Sequence, residues 1–531
     1  MVYFGKYFPI AVNRQGYYMV KKLLSHFRFI SLSLIMLLFY IWLASNIPYT
    51  HDDWDWGLQE GLNHLFTADI NNRFSGNLIE VILTRNTMLK SVFMGFVLTL
   101  IPFTSTLFVT KITKIKGNVD FIHALTFGFA NAILLLMPVE VWQQTYGWVA
   151  GFSNFVVSGL GMVLFFYFIT FISSGKQTKI NFFKIITVFI FGFAIQLFLE
   201  NLTLYFFVFS IFLLIISRTN KNTYKYTIPL SAGIFIGLIV MFLNNIYFSI
   251  FKTGSAIEDY RQLMYDPSQP ISTFIQNSIY RFFVEFIPQI FFYNGILMGL
   301  IAVLMVFLAI NRLKNKLSGF ILCFANSIFG IYYLFTGIVG KFLTPVAFIQ
   351  NIILDCTFII LVIVDTIFIF NNSKYIKFWL ISLFVSPLII IFPMLLINTV
   401  GPRSFYTTLL CHVIFAMVLL EKTLSEIKHK TAIGLAAVTG VTLLVVLAHL
   451  IYIYIPIGNE MKKRNQMIET AISDNWDTIV FSEYPNSEYL WRPDPGKEDK
   501  VRWFREFYHI PKDKKLFFES WRKYMKKDSA T

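Results

Sequence analysis

The chain reads as an all-α polytopic membrane protein, and three observations carry that reading. Thirteen apolar stretches recur along 531 residues. Most are near the roughly 20 residues a helix needs to cross a bilayer. Only 14% of the residues are charged and 56% are hydrophobic, against about 25% charged in soluble domains. The lysines and arginines fall mainly in alternate short loops, as orientation by positive charge requires.

The spans follow in order. The first, 29–47, comes after a segment holding Lys6, Arg14, Lys21, Lys22 and Arg28. No small-residue cleavage site follows it, so it is read as an anchor. The next three are placed at 91–110, 121–139 and 155–172. The stretch 185–217 is too long for one ordinary span and holds Glu200-Asn201 at its middle. With Lys184 before it and Arg218 after it, the spacing predicts a hairpin of two short helices, 185–199 and 203–217. The remaining spans are 228–250, 286–310, 318–340, 346–370, 378–400, 409–427 and 431–455. An odd number puts the N-terminus in the cytoplasm and the C-terminus outside.

Two outer loops are long, 48–90 and 251–285. The second holds Glu258-Asp259-Tyr260-Arg261 and the run Tyr280-Arg281-Phe282-Phe283, which reads as a helix lying in the interface. The tail, 456–531, is polar and aromatic. Within it "DTIVFSEYP" reads as a strand and "KVRWFREFYHIP" as a short amphipathic helix. The expected division is therefore a transmembrane domain, 1–455, and a small extracytoplasmic α+β domain, 456–531.

Several functions are set aside. The net charge of +15 forms no continuous basic stripe, so nucleic acid is not expected as a partner. Cys323, Cys356 and Cys411 all lie in apolar spans without metal or CxxC spacing. No P-loop, GxSxG, HExxH or Rossmann fingerprint stands in a suitable context.

The first outer loop carries the densest chemistry, His51-Asp52-Asp53-Trp54-Asp55-Trp56. Charged groups at membrane depth are costly and are kept for function. Adjacent carboxylates raise each other's proton affinity, so Asp52 or Asp53 is a candidate general base. Asp55, beside them, is a candidate substrate-binding residue. Trp54 and Trp56 suit either a sugar face or the headgroup level. The alternative for these aspartates is capping of a surface helix. Arg73, in the same loop, suits a phosphate or the bilayer surface. Arg85 and Lys90 read as interface anchors.

The loop Glu140–Asn154 contains no lysine or arginine but has two tryptophans, Trp142 and Trp148, and several amides. Glu140, Trp148 and Asn154 therefore suit carbohydrate, with an aromatic belt as the alternative. Glu200 at the hairpin tip suits either a polar substrate contact or a neutral buried acid. Arg403, in Gly401-Pro402-Arg403-Ser404, and Lys341 are lone cations in outer loops, each suited to an anion. Asp355 and Asp365 read as links between helices.

Three motifs, Asp52-Asp53-Trp54, Asn72-Arg73-Phe74-Ser75-Gly76 and Trp148-Val149-Ala150-Gly151-Phe152-Ser153-Asn154, make the chain resemble a bacterial branch of the GT-C glycosyltransferases. Pro402-Arg403 fits the same pattern. The resemblance covers most of the membrane part and its motifs sit mainly in 48–160. It departs at Gly76-Asn77, where the pattern has Gly followed by Arg. The resemblance implies a polyprenyl-phosphate-linked sugar as donor and a first-loop aspartate as base.

The function expected from this is inverting transfer of a sugar from that donor to a cell-envelope glycan or glycolipid, at the outer face of a bacterial cell membrane. Arg73 and Arg403 would neutralise the leaving phosphate. No cofactor is required, and the acidic loop leaves a divalent metal open. The alternatives are a transporter or flippase of a lipid-linked sugar, or an envelope glycan polymerase or ligase.

Overall fold

The computed structural model describes residues 26–115, 118–173, 181–244, 247–248, 264, 269–313, 315–339, 347–397, 400–496 and 498–521. Lys341 and the sequence Glu258-Asp259-Tyr260-Arg261 lie outside the described residues. Among those described, 11 helices are long and apolar enough to cross a membrane. The pair Val119–Leu135 and Val139–Thr145 joins them if it is one broken span, and Phe182–Gln196 is a shorter apolar helix. Each expected apolar stretch overlaps one of these elements, but among the described residues 11 helices, or 12 with the broken pair, are long enough to span, against thirteen expected.

Helix α1 (Phe27–Ser45) shows how the bundle is built. It buries Phe29, Ser33, Met36, Tyr40 and Leu43, a stripe spaced by three and four residues. That stripe packs on α5 (Thr87–Thr113) and α6 (Val119–Leu135). The other face leaves Leu34, Ile35 and Leu38 exposed, an arrangement suited to lipid rather than water.

Between α1 and α5 lie three short helices, α2 (Asp53–Gly57), α3 (Gln59–Thr67) and α4 (Phe74–Thr84). They cover one end of the bundle, here called the loop end. α6 stops before Pro138, and the chain turns by 95° into α7 (Val139–Thr145). Proline lacks an N–H and disfavours a helical residue before it, which explains the break. α8 (Val149–Ser173) then starts at the loop end and contains a π-turn at Phe152–Val156.

The expected hairpin is present as α9 (Phe182–Gln196) and α10 (Glu200–Ser217), with Glu200 at its tip. α11 (Lys221–Phe242) packs along α9. Asparagine side chains cap four of these helices, Asn86, Asn118, Asn181 and Asn220, each accepting a backbone N–H of its first turn. This satisfies donors that a helix start leaves open.

One continuous helical run, Ile271–Arg312, comprises α12 (Ile271–Arg281), a π-turn at Phe282–Phe286, Ile287–Ile290, a 3₁₀ turn and α13 (Gly295–Arg312). The sequence Tyr280–Phe283 thus leads straight into a span. α14 (Lys316–Val339) and α15 (Ala347–Ile369) follow. Asp355 accepts from Tyr333 Oη at 2.6 Å and Asp365 from Asn326 Nδ2 at 2.7 Å. Both tie α15 to α14. α16 (Lys374–Ile391) and α17 (Tyr406–Leu424) complete the centre. α17 is the core helix: every one of its residues but Lys422 is buried.

α18 (His429–Ser473) runs 45 residues through position 455/456 without a break, Pro456 included. The tail beyond it forms β1 (Thr478–Ser482), α19 (Glu498–Phe507) and β2 (Lys515–Glu519), with β1 and β2 parallel. The sequence pattern anticipates β1 and α19 but not β2. A second apolar cluster joins Tyr49 and Trp54 of the first loop to Ile479, Phe481, Phe504 and Ile510 of the tail.

Candidate active site

The acidic loop opens on a strained turn. His51 has a φ of 52°, a left-handed conformation that costs a non-glycine residue energy and marks sites held by their surroundings. Three carboxylates of this loop and a fourth from α4 gather near the start of α8.

Asp53 is fully buried. Its Oδ2 accepts Thr50 N–H and its Oδ1 accepts Ala150 N–H, each at 2.9 Å. Ala150 lies in the first turn of α8, where a carboxylate meets unpaired donors and the positive end of the helix dipole. The capping alternative thus describes Asp53, but it caps a helix from another loop. Burial pushes its carboxyl up to about 7, with the Thr50 and Ala150 N–H groups opposing.

Asp52 differs. Its side chain remains 33% exposed, and its Oδ1 lies 2.5 Å from Lys500 Nζ and 2.8 Å from His51 Nδ1. Burial raises its carboxyl, but His51 and Lys500 outweigh that and hold it well below the usual carboxylate range. Asp55 is buried, with Oδ2 at 3.4 Å from His64 Nε2. His64 also contacts Asp69 at 2.9 Å. The two carboxylates, Asp55 foremost, push the imidazole up to about 9.

The fourth carboxylate is Glu80 on α4, which sequence reasoning missed. It is 1% exposed. Burial, then Asp53, Asp52 and Asp55, raise it well above a free glutamate. Its Oε2 accepts Asn154 Nδ2 at 3.4 Å, and Asn154 also donates to Ala150 O at 3.1 Å. The π-turn of α8 carries Asn154 to this position. Gly76 is needed opposite, because a β-carbon there would collide with Asn154 Oδ1. The one signal for Glu80 in the sequence is an acid in the middle of the apolar helix Phe74–Thr84.

Trp54 presents no face to a sugar. It is 1% exposed, donates to Tyr49 O at 3.1 Å and meets Phe504 edge-on at 5.2 Å. Its reading as a substrate platform is corrected: the tail covers the ring. Lys90 is likewise no interface anchor. It is fully buried, donates to Ile47 O and lies over the Tyr49 ring. Arg85 donates to the carbonyls of Trp56, Leu58 and Val81.

Trp148 is the N-cap residue of α8 and is also covered by the tail, through Trp491 at 6.0 Å. His51 meets it edge-on at 5.9 Å, and the Arg403 guanidinium lies 5.3 Å from its ring centre. Arg403, Trp148, His51, Asp52 and Lys500 thus form one chain of neighbours. Glu140 stands apart, exposed at the start of α7.

Arg73 and Glu200 form a second cluster. Arg73 Nε lies 3.2 and 3.1 Å from the two Glu200 oxygens, and its NH2 group is at 2.7 Å. Tyr247 also donates to Glu200. Beside them Arg73 N–H donates to Asn71 Oδ1, and Asn72 and Asn244 bridge Ala68 and Val240. The asparagines therefore fasten this loop to the end of α11. The expectation that Arg73 is a phosphate ligand meets a guanidinium already balanced by a carboxylate. Besides Glu80, Lys500 and Trp491, both in the tail, are residues of the first site that local patterning did not point to.

Among the described residues no three His, Cys, Asp or Glu side chains form a group able to hold a metal ion. Comparison of the chain with protein families, with curated proteins and with solved structures gives no match.

Proposed function

We propose that this chain is an inverting glycosyltransferase, taking a sugar from a polyprenyl-phosphate donor at the outer face of a bacterial membrane, with Asp52 as general base. One observation carries the choice of residue. Asp52 is the part-exposed carboxylate of a cluster whose other members are buried, and His51 and Lys500 hold it below the usual carboxylate range. Asp53 has both oxygens committed to backbone N–H groups, whereas Asp52 is turned toward the side where Lys500, His51 and, through Trp148, Arg403 lie.

In this reading Asp52 takes the proton of the acceptor hydroxyl as that oxygen attacks the anomeric carbon. The carbon–oxygen bond to the lipid phosphate breaks, and Arg403 stabilises the departing anion. The acceptor is a cell-envelope glycan or glycolipid. The N-terminus lies in the cytoplasm and the tail outside.

The test is incubation of the purified protein with radiolabelled polyprenyl-phosphate sugars and envelope acceptors. Transfer by the wild type and a fall of about 10²–10⁴-fold in Asp52→Asn is the expected result. No donor turnover by the wild type would sink the reading. The 95° break between α6 and α7 favours a second one, a carrier of lipid-linked sugars, since transporters build sites at broken helices. Movement of intact donor across a vesicle membrane without transfer would select it.

A further inference from the structure

We propose that Lys500 is a positioning residue for Asp52, so that the tail forms part of the catalytic centre. This rests on the glycosyltransferase reading above.

The two residues are 448 positions apart, yet Lys500 Nζ lies 2.5 Å from Asp52 Oδ1. The Lys500 side chain is only 16% exposed. It lies over the Trp503 ring at 4.2 Å, which restrains a side chain that is otherwise free to rotate.

The placement of Lys500 runs against its own helix. It sits in the first turn of α19, after Glu498 and Asp499. A cation there opposes the positive end of the helix dipole, where acids are favoured. Asp52, brought in from the first loop, is the charged partner that offsets this.

The same face of the helix makes further contacts with the first loop, and Arg502 beside it pairs with Glu60. Trp503 donates to Glu60 Oε2 at 2.6 Å, Phe504 packs on Trp54 at 5.2 Å and Phe507 on Tyr49 at 5.2 Å. Lys500, Trp503, Phe504 and Phe507 are spaced three, four and seven apart, one stripe of a helix. A β-carbon on Gly57 would collide with Phe507, so the loop is shaped to receive the stripe.

Four titratable groups surround Asp52. His51 and Asp53 come from its own loop, Glu80 from α4 and Lys500 from α19. Asp53 and Glu80 favour a protonated Asp52, while His51 and Lys500 oppose them. Removing Lys500 leaves the like charges less opposed, so Asp52 binds its proton at higher pH. An opposite charge at this range ordinarily moves a carboxyl by about 1–3 units.

The experiment uses the full chain in detergent, as wild type, Lys500→Met and Lys500→Arg. Carbodiimide reacts with protonated carboxyls, and labelling of Asp52 is read against pH by peptide mass spectrometry. We expect the labelling midpoint of Lys500→Met to lie at least about one pH unit above wild type, with Lys500→Arg restoring it. In sugar-transfer assays the acid limb of kcat/KM should move by the same amount. An unchanged midpoint in Lys500→Met overturns the proposal whatever the activity. A shifted midpoint with an unmoved acid limb overturns it too, because Asp52 is then not the group that Lys500 serves in catalysis. A shifted midpoint in Lys500→Met together with a wild type that transfers no sugar sinks the glycosyltransferase reading while leaving the Lys500–Asp52 linkage established.

Discussion

Asp53 Oδ1 accepts the backbone N–H of Ala150 at 2.9 Å, joining the first loop to the start of α8 across 97 positions. The carboxyl is buried and raised from 3.8 to about 7. The folded protein therefore holds a proton that the unfolded chain has lost over this interval. Stability from this group is fully present below about pH 4 and is lost as pH rises toward 7. Glu80, also raised, acts in the same direction. We expect a lower Tm at pH 8 than at pH 5, with a smaller difference in Asp53→Asn and in Glu80→Gln. Identical slopes in wild type and both variants would reject the linkage.

Asp53→Ala tests the same residue by its hydrogen bonds. It leaves the Thr50 and Ala150 N–H groups without a partner in a buried place. Each unsatisfied donor costs about 1–3 kcal/mol, so a large loss of Tm is expected at any pH between 5 and 8. A Tm within a degree of wild type would show that water replaces the carboxylate.

Hydropathy made the bundle legible, because a long apolar run with charged flanks has few other solutions. The hairpin at Glu200 and the strand and helix of the tail were equally visible in local pattern. Roles within the acidic loop were not. Asp52 and Asp53 are neighbours of one type, and their difference arises from Ala150 and Lys500, which lie far along the chain. Trp54 is a similar case: an indole suits a sugar face or an apolar contact alike, and Phe504 decides. Lys90 looked like an interface residue until the Ile47 carbonyl and Tyr49 ring enclosed it. β2 was missed because its parallel partner β1 lies on the far side of α19 in the sequence, so no neighbouring segment marks it as a strand.

Gly76 and Asn154 should behave as one unit. A methyl group at Gly76 has to displace the Asn154 amide, and overpacking of this kind costs about 1–3 kcal/mol. Gly76→Ala is expected to lower Tm and to reduce transfer, since Asn154 bridges Glu80 and Ala150. Adding Asn154→Ala should relieve part of the loss. Simple additivity of the two changes in Tm would mean that they do not meet.

The Arg73–Glu200 pair is expected to hold the α9–α10 hairpin to the first loop. Its fork geometry and partial burial, 20% and 21% exposed side chains, make it stronger than an ordinary surface pair. Loss of charged hydrogen bonds of this type costs about 1.5–3 kcal/mol. Arg73→Ala and Glu200→Ala should each destabilise the protein, and the double variant should be little worse than either. Donor-lipid affinity should fall more in Arg403→Ala than in Arg73→Ala. The reverse order would return the phosphate to Arg73 and leave Arg403 a structural neighbour of Trp148 and Phe155.

The orientation is the last expectation, and it rests on loop charge and on the thirteen spans expected from the sequence; the described residues hold 11 helices of spanning length, or 12 with the bent pair. Asp513 lies in the tail between α19 and β2, with a 70% exposed side chain. A cysteine in its place is reachable by any reagent on the tail's side of the membrane. Cys323, Cys356 and Cys411 are free thiols within helices of the bundle, so their replacement by alanine gives a clean background. In intact cells Asp513→Cys should react with a membrane-impermeant maleimide. A cysteine in place of Asn311, at the end of α13 opposite to the tail, should react only after lysis. Reaction of both before lysis would indicate leakage. Reaction of Asn311→Cys alone in intact cells would invert the protein and put the acidic loop on the cytoplasmic face.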